Sequence, residues 1–138
     1  MKVTNYRLAI ILLFTLLLSG ISLSKNPISN SEVKIPQNSI DNLILGIQSE
    51  NCGVCRSCIY FVGKYKIDEA VNTLIERVRD ETNPQIRILI AITLYQIGNK
   101  HGIFELDKMG YDDPDHYVRK ICRNIYNEYL ANEYGSSI

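Results

Sequence analysis

Four cysteines carry the most reactive chemistry in this chain. Cys52, Cys55 and Cys58 stand as C-x2-C-x2-C, and Cys122 lies far along the sequence. Thiolates at such spacing bind zinc or iron–sulfur centres, because soft sulfur ligands must converge on one point. The bacterial ferredoxin pattern, however, requires a fourth nearby cysteine followed by proline, and that is absent. On a helix, positions 52, 55 and 58 also drift by about 60° per step, so the three side chains cannot aim as a loop would aim them. Two other readings stand beside the metal. One is a Cys52–Cys55 disulfide at a helix start, suited to an oxidising compartment. The other treats Cys55 and Cys58 as small apolar fillers between close-packed helices. No βαβ pattern surrounds the motif, which removes a thioredoxin-like fold.

Other polar clusters are weaker. Asp112-Asp113-Pro114-Asp115 lacks the twelve-residue loop of a calcium site and reads better as helix capping. His101 and His116, the two histidines, fall in a turn and in a first helical turn, outside any nucleophile or metal motif. There is no glycine-rich phosphate loop, no H-E-x-x-H and no G-x-S-x-G. The sequence is therefore read as non-enzymatic, with no cofactor. Nine tyrosines and no tryptophan point instead to recognition. Tyrosine offers contact area and one hydrogen bond at low entropic cost. Tyr60, Tyr95, Tyr126 and Tyr129 are the candidate partner-binding residues; the competing role for each is filling the core with its hydroxyl at the rim.

The elements that position these residues begin with a leader. Lys2 and Arg7 precede the apolar run Leu8–Leu18, and Ser22 and Ser24 bracket Leu23 before Lys25. This is the layout of a secretory signal peptide over residues 1–24, with an uncleaved N-terminal anchor as the alternative. Export to the periplasm or the exterior is expected. The formal net charge of zero includes Lys2 and Arg7, so the mature chain carries two more acidic than basic residues. Such a balance argues against nucleic acid as a partner. Residues 25–38, polar and with two prolines, read as a linker; residues 39–130 read as the folded domain and 131–138 as a tail.

Within that domain Asn83–Gly98 dominates. Asn83 can cap a helix, Pro84 suits its first position and Gly98 can end it. Between Ile86 and Ile97 only Arg87, Thr93 and Gln96 are clearly polar. A helix this apolar, yet well short of the roughly 20 residues of a membrane span, must be covered by other protein. Self-comparison supplies the covering elements. Leu43, Ile44 and Ile47; Leu74, Ile75 and Val78; and Ile103, Leu106 and Met109 form three apolar triads. Each is followed by a turn and a second helical segment opening on Cys55-Arg56, Ile86-Arg87 or Val118-Arg119. The arginines recur at steps of 31 and 32 residues, the period of a two-helix solenoid unit. Ser39, Asp68 and Asp113 are the expected caps of the first, third and sixth helices. The second helix of the first unit is expected either to be a turn shorter than its counterpart or to begin earlier, near Asn51.

These features resemble the HEAT repeat family, particularly the bacterial HEAT-like repeats first associated with phycobilisome lyases. The matching pieces are Asn83-Pro84-x-Ile86-Arg87, Leu94-Tyr95-x-Ile97-Gly98 and Asp113-Pro114-Asp115…Val118-Arg119, over about residues 39–130. Cys55 departs from the pattern, where an aliphatic residue is favoured, and the third unit lacks the closing glycine. The resemblance implies an all-α fold: a short solenoid of about three helical hairpins with the second helices lining the inner surface. It also implies that Asp80, Asp112 or Asp113 pairs with Arg87 and Arg119 to join neighbouring units. The lyase activity does not carry over, since nothing in the chain indicates a chromophore site. The function expected is an extracytoplasmic protein-interaction scaffold with a protein partner. The alternative is a redox or metal protein using Cys52, Cys55 and Cys58.

Overall fold

Asparagine and aspartate side chains set most of the helix starts. Asn51 Oδ1 accepts from the backbone N–H groups of Gly53 and Val54, Asn83 Oδ1 from Gln85, and Asn99 Oδ1 from His101. Asp115 Oδ1 accepts from Tyr117 and Val118. Each satisfies first-turn donors that have no partner inside their own helix. The computed structural model describes residues 34–135. They form α1 (Gln37–Ile47), α2 (Cys52–Lys64), a 3-10 turn (Asp68–Ala70), α3 (Val71–Asp80), α4 (Pro84–Ile97), α5 (Lys100–Asp112) and α6 (His116–Gly135), with no strand among the described residues. The fold is all-α. The leader and most of the linker lie outside the described residues.

Several boundaries differ from expectation. The first helix starts at Gln37, behind Pro36 and ahead of Ser39, because the extended Pro36 places its carbonyl to accept from the Ser39 and Ile40 amides. Asp68 opens the 3-10 turn instead of capping α3, and its carboxylate accepts both bonds from the Asn99 side-chain amide. Asp113 does not cap α6; Asp115 does. Asp113 Oδ1 accepts from the Asp115 backbone N–H and so shapes the turn that presents that cap. The second helix of the first unit begins early, at Cys52, which makes it nearly as long as α4. Its cap stands five residues before Arg56, whereas the caps of α4 and α6 stand four before Arg87 and Arg119. That helix runs through Gly63 and ends at Lys64. The last helix runs five residues beyond Leu130.

Helices pack as neighbours. The consecutive helices α1 with α2, α3 with α4 and α5 with α6 touch. So do the successive first helices, α1 with α3 and α3 with α5, and the successive second helices, α2 with α4 and α4 with α6. Helix α4 therefore meets α2, α3, α5 and α6, and buries Ile86, Arg87, Ile90, Ala91, Thr93 and Leu94. Gln85 in its first turn and an edge carrying Ile92 and Gln96 are its exposed positions. Gly98 closes α4 at φ 77°, the left-handed conformation in which an L side chain is strained. One core runs from Ile47 through Leu74, Ile90 and Leu106 to Cys122.

Candidate functional site

The cysteine trio is dispersed by its own helix. Cys52 occupies the first position of α2 and is exposed, Cys55 is fully buried, and Cys58 is half-buried. The Cys55 thiol turns toward the end of α1 and donates to the Ile47 carbonyl, at 3.2 Å. Cys58 packs where α1 passes closest, since a Cβ at Gly46 would collide with its sulfur. Burial raises the pKa of both Cys55 and Cys58. Cys122, in α6, is fully buried, and burial followed by the charge of Asp113 pushes its thiol up to about 12. All four are free thiols. Among the described residues no three His, Cys, Asp or Glu side chains gather in a way that could hold a metal ion. Cys52, Cys55 and Cys58 do not meet as one ligand set, because successive steps of three on a helix carry them from solvent into the core and back to its edge.

The tyrosines divide. Tyr60 on α2 is exposed at 51%. Tyr95 on α4, and Tyr126 and Tyr129 on α6, are half-buried with their rings against the core. The Tyr95 hydroxyl donates to Glu128 Oε1 at 3.2 Å and accepts from the Asn132 side-chain amide at 3.4 Å. Partial burial, then the bond to the Glu128 carboxylate, raises the Tyr95 pKa. Tyr126 and Tyr129 stack with ring centroids 6.3 Å apart. The structure thus gives Tyr95, Tyr126 and Tyr129 packing partners of their own, and leaves Tyr60 facing outward.

Two residues beside Tyr60 were not singled out in the sequence. Phe61 meets Tyr60 edge-on, with centroids 5.4 Å apart, and stacks on Tyr65 at 6.1 Å. The Lys64 ammonium sits 6.0 Å from the Phe61 ring and 5.6 Å from that of Tyr65. Tyr60, Phe61 and Tyr65 are all exposed, as is Val54 two turns earlier on the face of Phe61. The legible signal was the i, i+4 spacing of Phe61 and Tyr65, which puts two rings on one face of any helix. Nothing in the chain matches a family model, a curated protein or a solved structure. The functional reading therefore rests on this surface and on the packing beneath it.

The arginines are structural. Arg87 forks onto Asp113, with Nε to Oδ2 at 2.8 Å and Nη2 to Oδ1 at 2.9 Å, both side chains buried. Its Nη1 donates to the carbonyls of Glu81 and Thr82 in the turn of its own hairpin. The side-chain bond to Asp113 raises the Arg87 pKa against the cost of burial. Arg119 repeats the second half of this arrangement, donating to the carbonyls of Asp113 and Pro114, but among the described residues no carboxylate pairs with it. The expected pairing is met by Arg87 with Asp113 and corrected for Arg119. Asp80 and Asp112 take no part, because the joining carboxylate stands six residues before the next arginine, inside the turn.

Proposed function

We propose that residues 34–135 are a short α-solenoid of three HEAT-like hairpins serving as a non-enzymatic, extracytoplasmic protein-interaction scaffold. The observation that carries it is the exposed aromatic face of α2. Other large apolar side chains reach solvent elsewhere, Leu45, Phe104 and Tyr111 among them. Among the described residues, Tyr60, Phe61 and Tyr65 are the exposed aromatics whose rings contact one another and gather into a patch, with Lys64 over two of them. Large exposed apolar patches rimmed by charge mark binding surfaces more often than they mark chance. Tyrosine in particular recurs at the centre of interfaces. The placement outside the cytoplasm rests on the leader-like residues 1–24.

The test is capture of partners from envelope and secreted fractions by the full chain and by a Tyr60→Ser/Phe61→Ser/Tyr65→Ser triple variant. Exposed substitutions of this kind change stability by no more than about 0.5 kcal/mol each. The expected result is a specific partner retained by the unaltered chain and lost by the folded variant. Equal recovery by both would place recognition elsewhere, and recovery of nothing above background would sink the scaffold reading.

A further inference from the structure

We propose that Cys52 and Cys55 form a reversible dithiol–disulfide couple whose oxidation loosens α1 from the rest of the domain. The geometry is that of an exposed attacking thiol backed by a sheltered resolving one. Cys52 stands at the open end of α2, beside exposed Gly53 and Val54, so a disulfide-bearing molecule can reach it. Cys55 lies three residues further along α2 and is fully buried. Residues three apart on an α-helix have Cα atoms about 5 Å apart, inside the window of roughly 4.4–6.8 Å that a disulfide accepts. The first turn is also where a helix tolerates the adjustment, because its leading amides hold no intrahelical bonds. Cys58 and Cys122 are excluded as the attacking group by their positions: the first is wedged against Gly46 and the second is fully buried.

The reaction is thiol–disulfide exchange with a small disulfide such as oxidised glutathione. The Cys52 thiolate attacks one glutathione sulfur, the glutathione S–S bond breaks and one glutathione thiolate leaves. The Cys55 sulfur, giving up its proton, then attacks Cys52 Sγ and expels the second glutathione thiolate. Two cysteine thiols are oxidised, one glutathione disulfide is reduced, and the two protons released reappear on the two glutathione thiols. The structural cost falls on α1. Once its sulfur is in a disulfide, Cys55 has no proton to donate to the Ile47 carbonyl, and Ile47 is the one buried residue of that helix.

The experiment equilibrates the full chain with glutathione buffers of increasing oxidised fraction, then quenches, alkylates and maps the thiols by mass. The expected product joins Cys52 to Cys55 and leaves Cys58 and Cys122 alkylated. Cys52→Ser must abolish the product, and Cys55→Ser must halt at a glutathione adduct on Cys52. Because Cys55→Ser alters a buried position, the exposed Cys52→Ser variant carries the test if the former fails to fold. Amide exchange along α1 should quicken by about two- to fivefold on oxidation, the factor expected for losing one hydrogen bond from a weak thiol donor. Oxidation that reaches Cys58 or Cys122 first, a stable Cys52 adduct in the unaltered chain, no reaction in fully oxidised glutathione, or α1 exchange unchanged in the oxidised protein would each overturn the proposal.

Discussion

The joint of the α1–α2 pair with the α3–α4 pair and the joint of the α3–α4 pair with the α5–α6 pair use opposite means. At the first, α2 comes close to α4 because Gly63 has no side chain. A Cβ there would stand 3.2 Å from Thr93 Cγ2 and 2.5 Å from Gln96 Oε1. Thr93 Oγ1 donates across the joint to the Ile59 carbonyl, at 3.3 Å, and among the described residues no ion pair crosses. At the second joint the buried Arg87–Asp113 fork crosses, with Asn99–Asp68 and Tyr95–Glu128 at its margins. The equivalent carboxylate of the first joint exists: Glu81, like Asp113, stands six residues before an arginine and accepts the amide two residues on. Arg77, one turn earlier on α3, takes it at 2.7 Å. Burial works against ionisation of Glu81, but the Asn83 amide and then Arg77 hold its pKa below the ordinary value. Arg56, displaced by the extra residue after its cap, remains exposed. A one-residue change in cap spacing separates an ionic joint from a close-packed one.

Substitutions can break this contrast in order of expected size. Arg87→Ala leaves Asp113 buried without its partner and two turn carbonyls without their donor. A loss of about 3–5 kcal/mol is expected for such a broken buried pair, read from the urea midpoint. Next comes alkaline pH, acting through Cys122 beside the second joint. Its folded pKa of about 12 lies above the ordinary value near 9, so the fold favours the thiol. The stability it contributes is whole below pH 9 and is lost as pH rises from 9 toward 12, at up to about 1.4 kcal/mol per pH unit. Melting curves of Cys122→Ala across that interval should fall less steeply than those of the unaltered chain.

The first joint should respond to bulk. Gly63→Val presses on Thr93 and Gln96 and is expected to destabilise by about 1–3 kcal/mol. Part of that should return in combination with Thr93→Ser, and a strictly additive double-mutant cycle would show that the two do not touch. The smallest effect belongs to Arg56→Ala, within about 0.5 kcal/mol of unaltered stability. A loss comparable to that of Arg87→Ala would mean the first joint is ionic after all.

What was legible in the sequence was whatever depended on near neighbours. Asn83, Pro84 and Gly98 bound α4 as their chemistry requires, and the second and third apolar triads are buried on α3 and α5. Of the first triad only Ile47 is buried, while Leu43 and Ile44 pack half-buried against the core. The caps that went astray, Ser39, Asp68 and Asp113, are residues with several possible acceptors or donors nearby, and tertiary position chose among them. Pairing Arg87 with Asp113 rather than Asp80 or Asp112 depends on which carboxylate lies inside the turn, 26 residues away. The cysteine spacing was visible, but its meaning was not, because the helix phase separating Cys52 from Cys55 depends on the cap at Asn51. The face of Tyr60, Phe61 and Tyr65 was half visible. Nothing local says which tyrosines find partners in an adjoining helix and which do not.

The neighbour-only packing of the helices also governs kinetics. The main contacts join elements close in sequence, and α1 has no extensive contact beyond α2 and α3. Chains built from such local contacts fold in roughly microseconds to milliseconds, since little loop-closure entropy must be lost before contacts form. They also come apart piecemeal. With one buried residue, α1 is positioned to fray while α4, enclosed by four helices, remains folded. A mechanical or proteolytic challenge would then enter at the first hairpin, and a refolding chain would complete that hairpin last.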